Sequence, residues 1–110
     1  MITMKIIRNN IIPFKGYKAI NIFGILFCRK NVNIDDVTIN HEKIHTKQMQ
    51  ELMYLPFYIF YGIEYLFKLF LFGNHYYAYR YISFEQEAFM NEQNLNYLND
   101  RVHFEWTKYI

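Results

Sequence analysis

Two histidines four residues apart, with a glutamate beside the first, are the residues of this chain best placed to do chemistry: His41-Glu42-Lys43-Ile44-His45. On a helix, positions i and i+4 lie on one face, so both imidazoles can reach a single Zn2+ at about 2.0–2.1 Å. Glu42 is turned about 100° from His41, which puts it beside such a cation rather than on it. A carboxylate there serves as general base toward metal-bound water, whose pKa zinc lowers from about 15.7 toward about 7. Two of the four histidines of the chain fall in this pentapeptide.

Two protein ligands leave a catalytic zinc one short of the usual three plus water. The segment Ser83-Phe-Glu-Gln-Glu-Ala-Phe89 holds the better candidates for the third. On a helix, Glu85 shares a face with Ala88, Phe89 and Glu92, whereas Glu87 points about 200° away from it. Ala88, small among large neighbours, lets this helix come close to the one that carries His41 and His45. Glu85 is therefore the favoured third ligand and Glu87 the alternative, with His75 and His103 as further candidates. Gln48 and Asn40 are candidates for hydrogen-bonding support. The electrophile candidates are Tyr76, Tyr77, Tyr79, Arg80 and His103. Cys28, with no feature nearby to activate it, reads as a small core residue.

Asn40-His-Glu-Lys-Ile-His45, followed forty residues after His45 by Glu85 within Ile82-Ser-Phe-Glu-Gln-Glu-Ala88, resembles the catalytic core of gluzincin metallopeptidases. In their CAAX-prenyl-protease-like and BlaR-type sensor members, a later E-x-x-x-D or E-x-E-A-D helix supplies the metal-binding glutamate. Glu85 matches the first glutamate of that pattern and Ala88 its alanine. The chain departs at Phe89, where those families carry an aspartate that supports a zinc-bound histidine. Its compact size is similar to that of minimal gluzincins, and to a small bacterial family of metallopeptidase-like proteins sharing N-H-E-x-I-H with I-S-F-E-x-E-A. The resemblance covers roughly residues 38–92. It implies zinc held by His41, His45 and Glu85, a peptide or protein substrate, and Glu42 as the base. It also implies an edge strand within residues 19–30 that pairs with an extended peptide above the metal. The alternative is a catalytically inactive zincin-like metal-binding module, associated with a membrane or a partner through residues 55–72.

The elements that must position these side chains are legible in outline. Residues 2–8 and 18–29 are β-branched and aromatic, partly alternating, and bounded by Asn9-Asn10, Pro13, Gly16 and Asn31. They predict an N-terminal antiparallel sheet of two or three strands, with Gly24 at a bend. Asp35, Asp36 or Thr38 can cap a helix in which Val37, His41, Ile44, Gln48 and Leu52 recur at helical spacing. Pro56 ends that helix or starts the next, which Gly73-Asn74 stops. After a Tyr-rich connection, Ser83 and Gln86 form a capping-box pattern opening a third helix to about Asn99. The aromatic tail from His103 to Ile110 packs back on the rest. The expected class is α+β: a small sheet, then three main helices, in one minimal zincin-like domain spanning residues 1–110.

Composition narrows the remaining possibilities. The 110 residues are 53% hydrophobic and 21% aromatic, with only 4 Gly and 2 Pro, which excludes a disordered or linker-rich chain. Twelve Lys+Arg against ten Asp+Glu give +2, too balanced to predict a nucleic-acid partner. One cysteine excludes an intramolecular disulfide, and the start lacks a signal-peptide pattern, so a cytoplasmic location is expected. The 18 apolar residues 55–72 sit at the lower edge of what spans a bilayer. Glu64 near their middle and Lys68 one turn later, in the order that favours an i,i+4 pair, predict a largely buried helix of a soluble domain, membrane contact being the less favoured reading.

Overall fold

The computed structural model describes residues 4–13 and 18–110. Ile2 and Thr3 of the first expected strand, and the turn residue Gly16, lie outside the described residues. The architecture is α+β. Strands β1 (Lys5–Asn9), β2 (Ala19–Ile22) and β3 (Ile25–Arg29) precede helices α1 (Asp36–Glu51), α2 (Leu55–Phe72), α3 (His75–Arg80), α4 (Ser83–Asn91) and α5 (Tyr97–Asp100). A 3-10 turn over Glu105–Tyr109 follows.

The sheet order is β1-β3-β2. β2 and β3 are antiparallel, with Ala19 opposite Cys28 and Ile22 opposite Ile25. Phe23 and Gly24, at φ 51° and 89°, form the two-residue turn between them, the geometry that matches the right-handed twist of paired strands. β1 pairs with β3 in parallel, so the sheet is mixed rather than antiparallel throughout. The tight hairpin claims one edge of β3, and β1 takes the other, running in the same direction as β3. Among the described residues β2 is therefore an edge strand.

The α1 N-terminus is capped by Asp35, whose carboxylate accepts from the Thr38 N–H at 2.8 Å. Pro56 sits in the first turn of α2, and Gly73, at φ 64°, closes its end in the left-handed conformation. Three local expectations are corrected. The Tyr-rich connection contains helix α3, capped by the Asn74 side chain, which accepts from the Tyr77 N–H. Ser83 is not a capping residue for its own helix: its N–H and hydroxyl both donate to the Glu64 carboxylate at 2.6 Å. Glu64 thus ties α2 to the start of α4 instead of pairing with Lys68. Helix α4 ends at Asn91, short of Asn99, because the buried Asn40 side chain on α1 donates to the backbone carbonyls of Glu92 and Asn94 at 2.8 and 3.0 Å.

The core is aromatic. Met49, Phe57, Ile82 and Phe84 are buried together, with Leu52, Tyr58, Tyr61 and Trp106 packed against them. The Phe84 and Trp106 rings are 4.7 Å apart, which fastens the C-terminal turn onto α4 as the tail's composition predicts. α2 departs from expectation most clearly. It is not buried: of its 18 residues, 6% are inside the molecule, and Phe57 alone is fully so among them.

Candidate metal centre

α1 and α4 bring three buried side chains to one point: His41, His45 and Glu85. Glu85 Oε1 lies 3.2 Å from His41 Nε2 and 3.0 Å from His45 Nε2, and the two Nε2 atoms are 3.1 Å apart. Ala88, fully buried on the same helix as Glu85, keeps that helix close to α1.

The far side of each imidazole determines what its Nε2 can be. His41 Nδ1 faces Glu92 Oε1 at 2.8 Å, an acceptor, so the ring donates its Nδ1–H there. His45 Nδ1 faces Gln48 Oε1 at 2.8 Å. The orientation of that amide is set by its other end, since Gln48 Nε2 donates to the Phe84 carbonyl and to Glu87 Oε1. Both neutral imidazoles therefore carry their proton on Nδ1 and turn an Nε2 lone pair toward Glu85. With both rings neutral, three acceptors converge with no donor among them, a set that could hold a cation. Ligand atoms around a tetrahedral zinc with bonds of about 2.0–2.1 Å sit roughly 3.3–3.4 Å apart. The observed triangle would open by a few tenths of an ångström to hold one, and the donor set of two imidazoles and a carboxylate fits a divalent metal of that kind.

Without a metal, a proton takes its place. Burial opposes a charge on His45, but the adjacent Glu85 carboxylate outweighs it and lifts the imidazole to about 9. Burial likewise opposes a charged Glu85. The charge on His45, and the hydrogen bond that ring then donates, overcome that and hold the carboxyl well below its usual range. One proton satisfies three lone pairs poorly, whereas a divalent cation satisfies all three.

The remaining groups surround a cleft of about 660 Å³ that opens on this triad. Glu42 lines it without joining the three, and burial raises its pKa. Tyr61 on α2 donates to the second oxygen of Glu85 at 2.7 Å. Tyr79 also faces the cleft, and burial together with the Glu85 charge keeps both phenols protonated well above the usual range. Ala19, Ile20 and Asn21 of the edge strand β2 form another wall. Asn21 anchors that strand to α1 by donating to the Glu42 carbonyl and to Thr46 Oγ1, both at 3.0 Å.

The other candidates lie elsewhere. Glu87 is fully buried but faces away from the triad, where it accepts from Gln48, Tyr97 and Arg101. His75 stands at the rim of the cleft, hydrogen-bonded to Tyr65 at 2.7 Å. His103 is exposed beside Glu51. Tyr76 lines the cleft, Tyr77 is exposed, and Arg80 lies 4.0 Å over the Phe89 ring. Phe89 packs edge-on against His41 with centroids 4.5 Å apart, so the histidine support expected from an aspartate there comes from Glu92, one turn later. Sequence reasoning placed Glu92 on the face of Glu85 without giving it a role. It missed Tyr61 altogether, although Tyr58, Tyr61 and Tyr65 share one face of α2. Comparison of the chain with protein-family models, with curated proteins and with solved structures finds no match.

Proposed function

We propose that this chain is a zinc-dependent hydrolase of the gluzincin kind that cleaves peptide bonds. The observation that supports this most directly is the convergence of the His41, His45 and Glu85 acceptors within 3.2 Å of one another, each imidazole oriented from behind by an acceptor of its own. These three residues would hold the metal, with Glu42 beside them and free of them. A bound zinc supplies a Lewis acid that acidifies water and polarises a carbonyl.

The chain's own residues supply the rest. An extended peptide adds to the open edge of β2, so that main-chain hydrogen bonds bring its backbone across the cleft. Glu42 takes a proton from the attacking water and delivers it to the leaving nitrogen. Its raised pKa suits a group that must hold that proton between the two events. The Tyr79 hydroxyl, protonated throughout, donates toward the carbonyl oxygen as charge develops on it. Tyr61 holds Glu85 in place.

Metal analysis and cleavage of a peptide library test the proposal together. Glu42→Gln is expected to retain zinc while hydrolysis falls about 10²–10⁴-fold, the usual worth of a general base. Zinc at one per chain with no cleavage of any peptide by the wild type would leave a metal-binding module without hydrolase activity. Equal cleavage by wild type and Glu42→Gln would overturn the assigned base.

A further inference from the structure

Helix α2 is amphipathic in the reverse sense of a helix on a water-soluble protein. Taking Leu55 as zero and 100° per residue, the polar side chains Tyr58, Tyr61, Glu64, Tyr65 and Lys68 fall between about 180° and 300°. This is the arc turned to the protein: Tyr61 binds Glu85, Glu64 binds Ser83, and Tyr58 accepts from the Phe23 N–H. The opposite arc, about 160° wide, is left outside. Every exposed residue of α2 is Leu, Ile or Phe, and Ile59, Ile63, Leu66, Phe67, Phe70 and Leu71 are each 53–87% exposed. A surface helix in water hides its apolar stripe and shows its charges; this one does the opposite.

We infer that this face is embedded in the acyl region of a lipid bilayer, with α2 lying flat along the membrane surface. Three features favour lipid over a second protein. The outer arc offers no hydrogen-bonding group and no charge, whereas protein interfaces carry a polar rim and direct hydrogen bonds. The arc is convex and far wider than the seam one packed helix covers, so a helical partner leaves its flanks in water while acyl chains conform to all of it. Beyond the end of the helix the exposed Tyr76, Tyr77 and Tyr81 follow, Tyr81 stacked on Phe72, and tyrosine suits the headgroup level. A flat pose follows from the position of the polar residues. Glu64 sits at mid-length, with Lys68 one turn on, so a spanning pose would carry the Glu64 carboxylate to the middle of the hydrocarbon. The inference does not depend on the metal chemistry.

Flotation of the full chain with vesicles of uncharged phosphatidylcholine tests it. The protein is expected to float with the vesicles, with little change between low and high salt, because the face carries no charge. In Ile63→Glu/Phe67→Glu, vesicle partitioning is expected to fall on the order of a hundredfold or more, each carboxylate contributing about a factor of ten, with the circular dichroism spectrum unchanged. Should that variant not fold, Phe70→Cys decides the question: an environment-sensitive dye attached there shifts to the blue on adding vesicles, while buried Cys28 stays unlabelled. Failure of the wild type to float, binding that requires anionic lipid and disappears in salt, or a stable soluble dimer with the Phe70→Cys label buried between copies would overturn the inference.

Discussion

At the scale of single residues, the candidate metal centre is decided as much behind the imidazoles as in front of them. Glu92 and Gln48 each accept an Nδ1–H at 2.8 Å, fixing the tautomer that leaves both Nε2 lone pairs toward Glu85. Glu92→Ala and Gln48→Ala are expected to weaken zinc binding about 10–100-fold while leaving the three ligands intact, read by competition with a chelating dye. His45, lifted to about 9 beside Glu85, carries a proton at neutral pH that a metal must displace. Zinc binding at pH 7 is therefore expected to release about one proton per chain, measurable by titration calorimetry in buffers of different ionisation enthalpy. Much of this was legible in the residues: the i,i+4 spacing put two imidazoles on one face, and the wheel set Glu85 apart from Glu87. Tyr61 was not legible, because its partner Glu85 lies 24 residues away and no local pattern records such a contact.

At the scale of elements, α1 and α4 are held together by charge as well as by packing. Arg101 follows α5 and inserts between Glu51, at the end of α1, and Glu87 on α4, donating to both. All three side chains are almost wholly buried. Arg101→Ala strands two carboxylates without their cation and is expected to cost about 3–5 kcal/mol, seen as a lower urea midpoint. Burial opposes ionisation of Glu51, but the Arg101 guanidinium overcomes it and holds the pKa below the usual carboxylate value. The stability this contributes is present above pH 4.5, the ordinary glutamate value, and is lost as the pH falls through the lower folded-state value. Arg101→Ala should accordingly flatten the acid side of the stability profile. Element boundaries were legible where one residue forces them, as Pro56, Gly73 and Asp35 do. They were hidden where a distant partner decides them: Asn40 halts α4 from across the interface, Glu64 takes the Ser83 hydroxyl expected to cap α4, and the hairpin leaves β1 a parallel edge.

At the scale of the whole molecule, a 53% hydrophobic chain of 110 residues has more apolar side chains than its small core encloses. A large part of the excess lies on one face of α2. Composition alone cannot say which way such a helix turns, and the i,i+4 spacing of Glu64 and Lys68 suggested a solvated polar stripe. The angular separation of polar and apolar arcs carried the better signal: five polar side chains on one side of an otherwise apolar helix need a protein to meet them, which leaves the apolar side out. The same helix lends Tyr58 and Tyr61 to the cleft wall, so the outward face and the candidate metal centre share one rigid element. The central claim, that three buried side chains hold one cation, is tested most directly by the zinc content of purified wild type and Glu85→Gln. One zinc per chain in the wild type, falling below about a tenth of that in the variant with the fold retained, is the predicted result. Equal zinc in both proteins, or none in a folded wild type supplied with zinc, would contradict it.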